Sequence, residues 1–316
     1  MTEYLTGSTE KEPLELSQIL AGGYAGREVC VNGAIHKIRN MGDVVFIILR
    51  KREGLVQTVY EMGETNISLR ELTEEMAVEV RGLVVKEDRA PHGFELRLQS
   101  VRILSRPAQA MPVAVNKWKM DASLETRLDL RPLTLRNIRE RARFRIQEGI
   151  LRGFRGFLKD QGFTEIHSPK IGARGAEGGA NLFRLEYFHK HAVLAQSPQF
   201  YKQMMAGVFD RVFETAPVFR AEKHNTKRHL NEYTSLDFEM AYIDSFQDIM
   251  EMETGFLQYT MKLLDEEYKR ELELLDVVLP KVDRIPQVRF DKAKELVAER
   301  YHRRIRNPYD LEPEEE

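Results

Sequence analysis

Five short runs in which apolar and polar residues alternate follow one another between residues 28 and 104, and they constrain the fold more than any other feature. Glycine or charged residues separate them. The runs read EVCVNGAI, DVVFIILR, LVQTVY, AVEVRGLVV and FELRLQSVRIL. Alternation with a period of two is typical of half-buried β-strands. Five such strands with few helical stretches between them predict a small β-barrel.

An oligonucleotide-binding (OB-type) barrel has about this size and strand count. A barrel with a purely structural or protein-binding role fits the same pattern equally well, so the strands alone leave both interpretations open. The net charge of the chain is −2. A nucleic acid would therefore have to meet local basic clusters rather than a generally basic surface.

The composition is that of a globular chain. Its 316 residues are 42% hydrophobic and 31% charged, enough for two domains with at least one sizeable core. Cys30 is the only cysteine, which excludes an internal disulfide and indicates a reducing, cytoplasmic setting. No apolar run approaches the length of a membrane span, and the N-terminal residues lack the order of a signal peptide.

The pattern changes after the barrel, which we expect to occupy residues 1–104. Residues 105–134 carry three prolines without clear periodicity and are interpreted as a hinge. From Leu135 apolar residues recur at helical spacing until Gly162, and we expect a second domain over residues 135–316. The interleaved arginines of this helix are most simply a solvated face.

The second domain mixes helices with strands. TEIHSPKI is strand-like, GARGAEGGANLF is a glycine-rich loop, and HAVLAQSPQFYKQMMAGVFDRVFETAPVFRAE predicts strand, short helix, strand. Residues 247–275 predict an acidic amphipathic helix. Helices flanking antiparallel strands give an α+β domain, and the whole chain is predicted to be α+β.

The stretch FRAEKHNTKRHLNEYTSLDFEM, from Phe219 to Met240, predicts a hairpin that carries charges of both signs. On strands, Arg220 and Glu222 would share one face, as would Asp237 and Glu239. A guanidinium beside carboxylates suits a ligand that has both a phosphate and an ammonium group. The alternative is a salt-bridged surface hairpin, although the apolar flanks indicate that both strands enter a core.

Several motifs in this order resemble the class II aminoacyl-tRNA synthetases, and specifically the aspartyl branch. GFTEIHSPKI, which contains Pro169, is similar to the first signature of that class, and FRAE…RHLNEYTSLDFEM to the second. QSPQFYKQ is typical of aspartate enzymes rather than asparagine enzymes. The barrel followed by LETRLDLR fits the anticodon-binding domain and hinge of the family.

The resemblance implies activation of L-aspartate by ATP with Mg²⁺, followed by transfer to tRNA. Arg220 would bind the α-phosphate and the substrate α-carboxylate, and Lys202 would pair with the side-chain carboxylate of aspartate. The catalytic residues implied are Arg220, Glu222 and His229. The ATP-binding residues implied are Arg220, Glu222, Arg228, His229 and Tyr233. The aspartate-binding residues implied are Glu177, Gln199, Lys202, Arg220 and Asp237, with Glu177 in a glycine-rich lid.

The chain departs from the family towards its end. Nothing after Phe290 matches the third signature, and the arginine that assists Lys202 and the acidic residues that hold Mg²⁺ are missing, so no metal ligand is expected within the chain. We therefore expect a truncated or degenerate relative with weak or no catalysis on its own.

In the barrel, the resemblance implies that unstacked anticodon bases are read by Phe46, Gln57 and Glu95. Strict relatives carry tryptophan and lysine where this chain has His36 and Pro91. That pair resembles enzymes that charge both tRNA(Asp) and tRNA(Asn). It would imply a partner amidotransferase that converts Asp-tRNA(Asn), and the family resemblance further implies a homodimer.

Three alternative functions were weighed against the sequence. The missing third signature favours a non-catalytic tRNA-binding protein derived from a synthetase. An asparaginyl-tRNA synthetase is disfavoured by Lys202, because an ammonium opposite a neutral amide lacks its carboxylate. An ammonia-using biosynthetic enzyme that activates aspartate would not need the barrel.

Overall fold

A computed structural model describes residues 12–42, 44–176, 181–222 and 230–312. The chain divides into two compact units, the first ending at Glu140 and the second beginning at Arg141. None of the helices in the described ranges is long and apolar enough to cross a membrane.

The first unit is built on a closed barrel in which the strands follow the order β1-β2-β3-β5-β4. The β3–β5 pair is parallel and the other pairs are antiparallel. This confirms the predicted five-stranded OB-type barrel. The elements are α1 Leu16–Leu20, β1 Glu28–Asn40, β2 Val45–Arg50, β3 Leu55–Tyr60, a 3-10 helix Leu69–Glu71, β4 Ala77–Lys86, a 3-10 helix Pro91–Gly93 and β5 Phe94–Ser105.

Alternation along the strands decides which side chains fill the barrel. Ile47 and Leu49 of β2 and Leu96 of β5 are almost completely buried in its core. The residues between them consequently point to the outer face of the barrel.

Strand β1 contains a β-bulge at His36. Ile35 pairs with Leu49 of β2 and Lys37 pairs with Ile48, so His36 has no partner of its own in the register. A bulge adds one residue to one strand and re-aims the side chains around it. Ile35 remains in the core, and His36 beside it is only 5% exposed.

Residues 105–134, which we interpreted as an irregular hinge, contain two short helices, α2 Leu124–Asp129 and α3 Arg131–Thr134. The Ser123 side chain accepts a hydrogen bond from the Thr126 N–H at 3.1 Å and so caps α2. Helices of six and four residues are too short for a periodic pattern to be visible in the sequence.

The second unit contains two small sheets, β11-β10-β6 and β7-β9-β8. Helix α4, Ile138–Asp160, crosses the boundary between the units, and Gly162 follows it at φ +79°. The remaining elements are β6 Thr164–Glu165, β7 Ile171–Gly172, β8 Arg184–Tyr187, β9 Lys190–Leu194, α5 Gln199–Phe209, β10 Arg211–Phe219, β11 Glu232–Met240, α6 Phe246–Glu267, α7 Lys269–Leu275 and α8 Phe290–Arg300. The α+β prediction is confirmed.

One face of the β10–β11 pair is closed by helices. Phe213 of β10 packs with Phe154 and Leu158 of α4, and Phe256 of α6 joins the same cluster. A Cβ on Gly153 would lie 2.4 Å from Oγ1 of Thr260, so glycine allows α6 to approach α4 closely. The opposite face of the pair is left for the charged residues.

Two predictions of secondary structure were wrong in detail, and one helix was missed. TEIHSPKI contributes only the two-residue strand β6 and the start of β7, because Pro169 lacks an N–H for a sheet. The acidic helix is interrupted at Tyr268, which is completely buried between α6 and α7. Helix α8 was not predicted.

Candidate functional site: a charged sheet face and a barrel cavity

The charged residues of β10 and β11 meet on one face because the strands pair in register. Glu214 lies opposite Asp237, Val212 opposite Glu239, and Val218 opposite Tyr233. Directly opposed residues of an antiparallel pair share a face, as do residues two apart on one strand. This face therefore carries three carboxylates and the half-buried ring of Tyr233.

Helix α5 lies along the same face. Ala206 of α5 packs with Val212 of β10 and Ile166 in one buried cluster. Before the helix, the carbonyl of Ala195 accepts a hydrogen bond from the Phe219 N–H at 2.9 Å. The chain from Ala195 to Ala206, which includes QSPQFYKQ, thus runs from the end of β10 towards its start.

Lys202 is one turn before Ala206 and reaches the sheet. Its Nζ lies 3.2 Å from Oδ1 of Asp237 and 3.6 Å from Oε2 of Glu239. The side chains of Lys202 and Asp237 are 13% and 15% exposed. Ser235 donates its hydroxyl hydrogen to Oδ2 of Asp237, which fixes that carboxylate. The structure therefore brings together Lys202 and Asp237, two of the predicted aspartate-binding residues.

Arg220 lies at the far end of this face. Its N–H donates to the Asn231 carbonyl at 3.0 Å, one step beyond the last residue of β10. Six residues separate Arg220 from Glu214, which is at most about 20 Å along a strand. Nε of Arg220 is buried without a hydrogen-bond partner in the described part of the chain. A buried donor without a partner is a group that an anionic ligand would satisfy.

The expectation that Arg220 and Glu222 share a strand face was wrong. Strand β10 ends at Phe219, and the N–H of Glu222 donates to the carbonyl of Arg220 at 2.8 Å. A hydrogen bond between residues two apart bends the backbone, and the alternation of an extended strand does not apply beyond that point.

A buried network beside the site escaped the sequence reasoning. The carboxylate of Glu214, 2% exposed, accepts from the Ser168 N–H at 2.5 Å, the Ser168 hydroxyl at 2.7 Å and Nζ of Lys170 at 2.8 Å. Each member is satisfied, so the network rigidifies the segment around Pro169 against the sheet. In the sequence, only the glutamate in the middle of the apolar run RVFETAPVF indicates a buried polar network.

Gln199 is the first residue of α5, and its N–H donates to Oγ of Ser197 at 3.2 Å. One helical turn, about 5 Å, separates it from Lys202. The predicted residues Glu177, Arg228 and His229 lie outside the described residues, as does most of the basic loop of the hairpin.

A cavity of about 380 Å³ lies beside α5 in the second unit. Phe200 and Met204 of α5 and Pro169 contribute to its mainly apolar lining. It contains none of the predicted site residues.

The barrel carries a cavity of about 440 Å³ on its outer face. Three predicted anticodon residues line it, namely Phe46, Gln57 and Glu95, and Nε2 of Gln57 donates to Oε2 of Glu95 at 3.1 Å. The full lining is Val44, Phe46, Gln57, Val59, Glu61, Glu87, Arg89, Glu95 and Arg97. An aromatic ring surrounded by donors and acceptors is the composition used to stack and read an unpaired base.

His36 and Pro91 are not among the residues that line this cavity. Pro91 begins an exposed 3-10 helix between β4 and β5, where its missing N–H is not needed. His36 is only 5% exposed, and its Nδ1 lies 3.3 Å from Nη1 of Arg50. Burial, with the nearby positive charge of Arg50, lowers the pKa of His36 to about 4.

Arg50 is itself held by Glu75. Nη1 and Nη2 of Arg50 donate to the two carboxylate oxygens of Glu75 at 2.6 and 2.8 Å, and Nη1 of Arg136 donates to the same carboxylate at 2.9 Å. Burial acts to raise the pKa of Glu75, but the hydrogen bonds and charges of Arg50 and Arg136 outweigh it and leave that pKa below its usual value. Sequence patterns gave no signal for this cluster.

Among the described residues, no group of three histidine, cysteine, aspartate or glutamate side chains is arranged to hold a metal ion. The carboxylates of the sheet face are instead paired with lysines.

Comparison with known families gives two matches. Residues 123–316 match the family of tRNA synthetases class II (D, K and N), and residues 29–104 match the OB-fold nucleic acid binding domain. The first match covers more than half of the chain. The protein therefore belongs to the class II tRNA synthetases.

Within that class the similar proteins are mostly aspartate enzymes. The chain is 42% identical over 294 residues to the aspartate--tRNA(Asp/Asn) ligase of Deinococcus radiodurans, an alignment that covers 93% of this chain and 66% of that protein. It is 39% identical over 280 residues to the aspartate--tRNA(Asp) ligase of Pyrococcus furiosus, covering 87% of this chain and 64% of that protein. The chain thus spans just under two thirds of the length of these relatives.

Among solved structures, the asparaginyl-tRNA synthetase from Pyrococcus horikoshii complexed with asparaginyl-adenylate superposes with a TM-score of 0.84 at 28% identity. The match covers 92% of this chain and 68% of that one. The fold is therefore shared by aspartate and asparagine enzymes, and the choice between them depends on side chains.

Proposed function

We propose that the chain is the anticodon-binding and principal catalytic part of an aspartate--tRNA ligase. The reaction would activate L-aspartate with ATP to aspartyl-adenylate and transfer the aspartyl group to tRNA. The single observation that carries the proposal is the contact of Lys202 with Asp237 and Glu239 on the sheet face that ends at Arg220.

The charges on this face match aspartate better than asparagine. An ammonium at Lys202 attracts the side-chain carboxylate of aspartate, whereas the neutral amide of asparagine gains no such charge attraction. The paired carboxylates, Asp237 and Glu239, exceed the lysine by one negative charge. A substrate ammonium would be attracted to that surplus, with Gln199 as an additional acceptor.

At the other end of the face, Arg220 would bind the α-phosphate and the α-carboxylate. The carboxylate oxygen attacks phosphorus, the bond to the bridging oxygen breaks, and pyrophosphate leaves with the electron pair. The guanidinium stabilises the negative charge that develops on the phosphoryl oxygens. The unpartnered Nε of Arg220 supports this role.

Other roles remain proposals from the family resemblance. Arg228 and His229 would hold the outer phosphates of ATP, Tyr233 would stack on adenine, and Glu177 would close over the amino acid. Glu222 would lie near the adenine or the tRNA end. Class II aspartyl-tRNA synthetases use ATP and Mg²⁺ in general, and here Mg²⁺ would be carried by the phosphates of ATP.

Binding of a stable adenylate analogue tests the substrate without requiring turnover. We expect the chain to bind an aspartyl-sulfamoyl adenosine at least about a hundredfold more tightly than the asparaginyl analogue, measured by calorimetry. Preference for the asparaginyl analogue would establish an asparagine enzyme. Binding of neither, with retained tRNA binding, would establish the non-catalytic alternative.

We propose further that the barrel, within residues 1–104, binds the anticodon of both tRNA(Asp) and tRNA(Asn), and that residues 135–316 act on the amino acid and the acceptor end. Residues 105–134 would connect them. The cavity at Phe46 supports base stacking, and His36 with Pro91 supports relaxed reading of the last anticodon base. Charging of tRNA(Asn) would require a tRNA-dependent amidotransferase as a partner.

Anisotropy titrations with the two tRNA transcripts test this proposal. Affinities within about threefold of each other are expected for relaxed reading, whereas a single base contact read strictly is worth about tenfold or more.

A homodimer and a cytoplasmic location are further proposals from the resemblance and the single cysteine. Sedimentation of the chain at micromolar concentration tests the dimer.

A further inference from the structure

We propose that Glu214 is a positioning residue for the amino acid, because its buried carboxylate fixes the part of the chain from which α5 presents Lys202. Glu214 would not touch the substrate. It would act through residues 168–170, here called the anchored segment, and so set the strength with which Lys202 binds an acidic side chain. This inference rests on the proposed activation of aspartate and gives a role to a carboxylate that the proposed reaction does not use.

The carboxylate of Glu214 binds three donors of the anchored segment. Oε1 accepts from the Ser168 N–H at 2.5 Å, and Oε2 accepts from the Ser168 hydroxyl at 2.7 Å and from Nζ of Lys170 at 2.8 Å. Nζ of Lys170 also donates to the hydroxyl oxygen of Ser168 at 2.8 Å. Both oxygens of an ionised carboxylate accept, whereas an amide of the same shape has one accepting and one donating group. Only the carboxylate can therefore satisfy all three donors.

The burial of Glu214 indicates that this network fixes geometry more than it adds stability. Val212 and Val218, on the same face of β10, are buried apolar residues, so an apolar side chain would suit the position of Glu214 in the strand. A buried ion pair is often no more stabilising than well-packed apolar side chains of similar volume. What the pair with Lys170 provides beyond such packing is one fixed position for the anchored segment.

The anchored segment is joined in turn to the chain that leads into α5. The carbonyl of Lys170 accepts from the Ala195 N–H at 2.9 Å, and the pairing of β7 with β9 continues this contact. The carbonyl of Ala195 accepts from the Phe219 N–H at 2.9 Å. Ala195 is thus fixed on both sides, seven residues before Lys202.

These contacts close into a ring. Nζ of Lys202 lies 3.2 Å from Oδ1 of Asp237, and Asp237 lies directly opposite Glu214 in the β10–β11 pair. One path from Glu214 crosses the strand pair to Asp237, and the other passes through the anchored segment and α5 to Lys202. Because both paths begin at Glu214, a shift of the anchored segment moves the ammonium relative to Asp237 and to a substrate carboxylate.

Binding of two ligands to Glu214→Gln separates positioning from a general defect. The probes are aspartyl-sulfamoyl adenosine and sulfamoyl adenosine, which lacks the amino acid, both measured by calorimetry. The amide leaves one of the three donors unpaired, so we expect affinity for the aspartyl analogue to fall roughly tenfold and that for sulfamoyl adenosine by less than about twofold. Equal losses for the two ligands, or no loss for either, would overturn the inference.

A second substitution tests whether geometry or charge is responsible. In Glu214→Gln combined with Lys170→Met, the amide can accept from the Ser168 N–H and donate to the Ser168 hydroxyl oxygen, so no donor of the anchored segment is left unpaired. We expect this double variant to bind the aspartyl analogue within about threefold of the unaltered chain. A double variant as weak as Glu214→Gln would show that the charge of Glu214 governs binding, contrary to the inference.

Ser168→Ala serves as a milder variant in case Glu214→Gln does not fold. It removes the hydroxyl but keeps the Ser168 N–H and the ion pair, and we expect roughly threefold weaker binding of the aspartyl analogue with unchanged binding of sulfamoyl adenosine. An unchanged ratio of the two affinities would contradict the inference. The control is Glu165→Gln, the same substitution in the partly exposed Arg155–Glu165 pair, which should alter neither affinity.

Hydrogen exchange measures the anchored segment directly. In Glu214→Gln we expect the Ala195 amide to exchange roughly tenfold faster. The Ile166 amide, which donates to the Phe213 carbonyl at 2.8 Å before the segment begins, should change by less than about threefold. Equal acceleration of the two amides would indicate general loosening of the sheet and overturn the inference.

The outcomes also separate this inference from the proposed function. If the unaltered chain binds the aspartyl analogue no better than sulfamoyl adenosine, activation of aspartate fails, and the inference fails with it. If the unaltered chain prefers the aspartyl analogue and Glu214→Gln shows the same preference, only the positioning role of Glu214 fails.

Discussion

The barrel and the sheet each hold a small cluster of opposite charges, and the two clusters are built in opposite ways. In the barrel one carboxylate, Glu75, is surrounded by two arginines and is 2% exposed. On the sheet one ammonium, Lys202, faces two carboxylates, and the Glu239 side chain is 30% exposed. The first cluster is closed to solvent around its anion, while the second is open and has surplus negative charge.

The difference indicates two uses of ion pairs. A buried carboxylate whose oxygens all accept hydrogen bonds holds the neighbouring groups in one geometry. Removal of one partner strongly lowers the free energy of unfolding. A partly exposed cluster with surplus negative charge can accept a ligand that brings a positive group of its own, such as a substrate ammonium. We therefore expect changes in the barrel cluster to affect folding first, and changes in the sheet cluster to affect binding first.

The largest expected effect is on folding of the barrel unit. Glu75→Gln leaves Arg50 and Arg136 without their carboxylate, and we expect the free energy of unfolding to fall by about 3–5 kcal/mol. Trp118, the only tryptophan, lies in this unit, so its fluorescence during urea unfolding measures the change. The control is Asp88→Asn, since the Lys86–Asp88 pair is more than 80% exposed on both sides. No measurable change is expected there, and equal losses in the two variants would contradict the comparison.

The next effect is on ligand binding at the sheet. Lys202→Met removes the ammonium, and we expect affinity for the aspartyl-adenylate analogue to fall by about 2–4 kcal/mol. The loss in unfolding free energy should be smaller than that of Glu75→Gln, because Asp237 and Glu239 remain partly solvated. Calorimetry and thermal unfolding followed by circular dichroism measure the two quantities. Lys262→Met, which removes an exposed partner of Glu266 on α6, is the control and should alter neither.

A third expectation concerns pH and applies to the barrel. The pKa of His36 is lowered to about 4, so between pH 6.5 and 4 the unfolded chain binds a proton that the folded chain does not. Stability should therefore decrease as the pH falls through this range, by about 2 kcal/mol between pH 7 and 5. His36→Gln removes this contribution. A steeper fall in the variant than in the unaltered chain would show that the histidine is not the cause.

The smallest expected effect is on the binding of anticodon hairpins at the barrel cavity, in contrast to the effect on folding at the Glu75 cluster. Phe46→Ala should weaken binding of anticodon hairpins by about 1 kcal/mol through lost stacking and leave the unfolding of the barrel nearly unchanged. Phe46→Tyr keeps the ring and should bind normally. Loss of binding in both variants would indicate a role for Phe46 other than stacking.

The sequence predicted the parts of this molecule that depend on local periodicity. Alternation was sufficient for the five barrel strands, and the same alternation placed Asp237 and Glu239 on one face. The pattern also predicted a short helix between two strands, which α5 confirms. These predictions depend only on residues that are close together in the chain, so the pattern of the sequence is sufficient for them.

The sequence could not predict the contacts that depend on a break in periodicity or on distant loops. A one-residue bulge at His36 changes the direction of a side chain without altering the apolar pattern around it. Glu75 is 39 residues from His36 and lies in a turn that resembles any polar loop. Glu222 follows a bend of the backbone after Arg220, where alternation no longer applies.

Lys202 is held in place by its contacts with Asp237 and Glu239. A lysine fixed on ligand binding loses about 2 kcal/mol of rotamer entropy. Because the folded chain has restricted this side chain beforehand, an incoming carboxylate meets an ordered partner. The rotamer entropy of this side chain is therefore not lost again on binding, which leaves more of the contact energy for affinity.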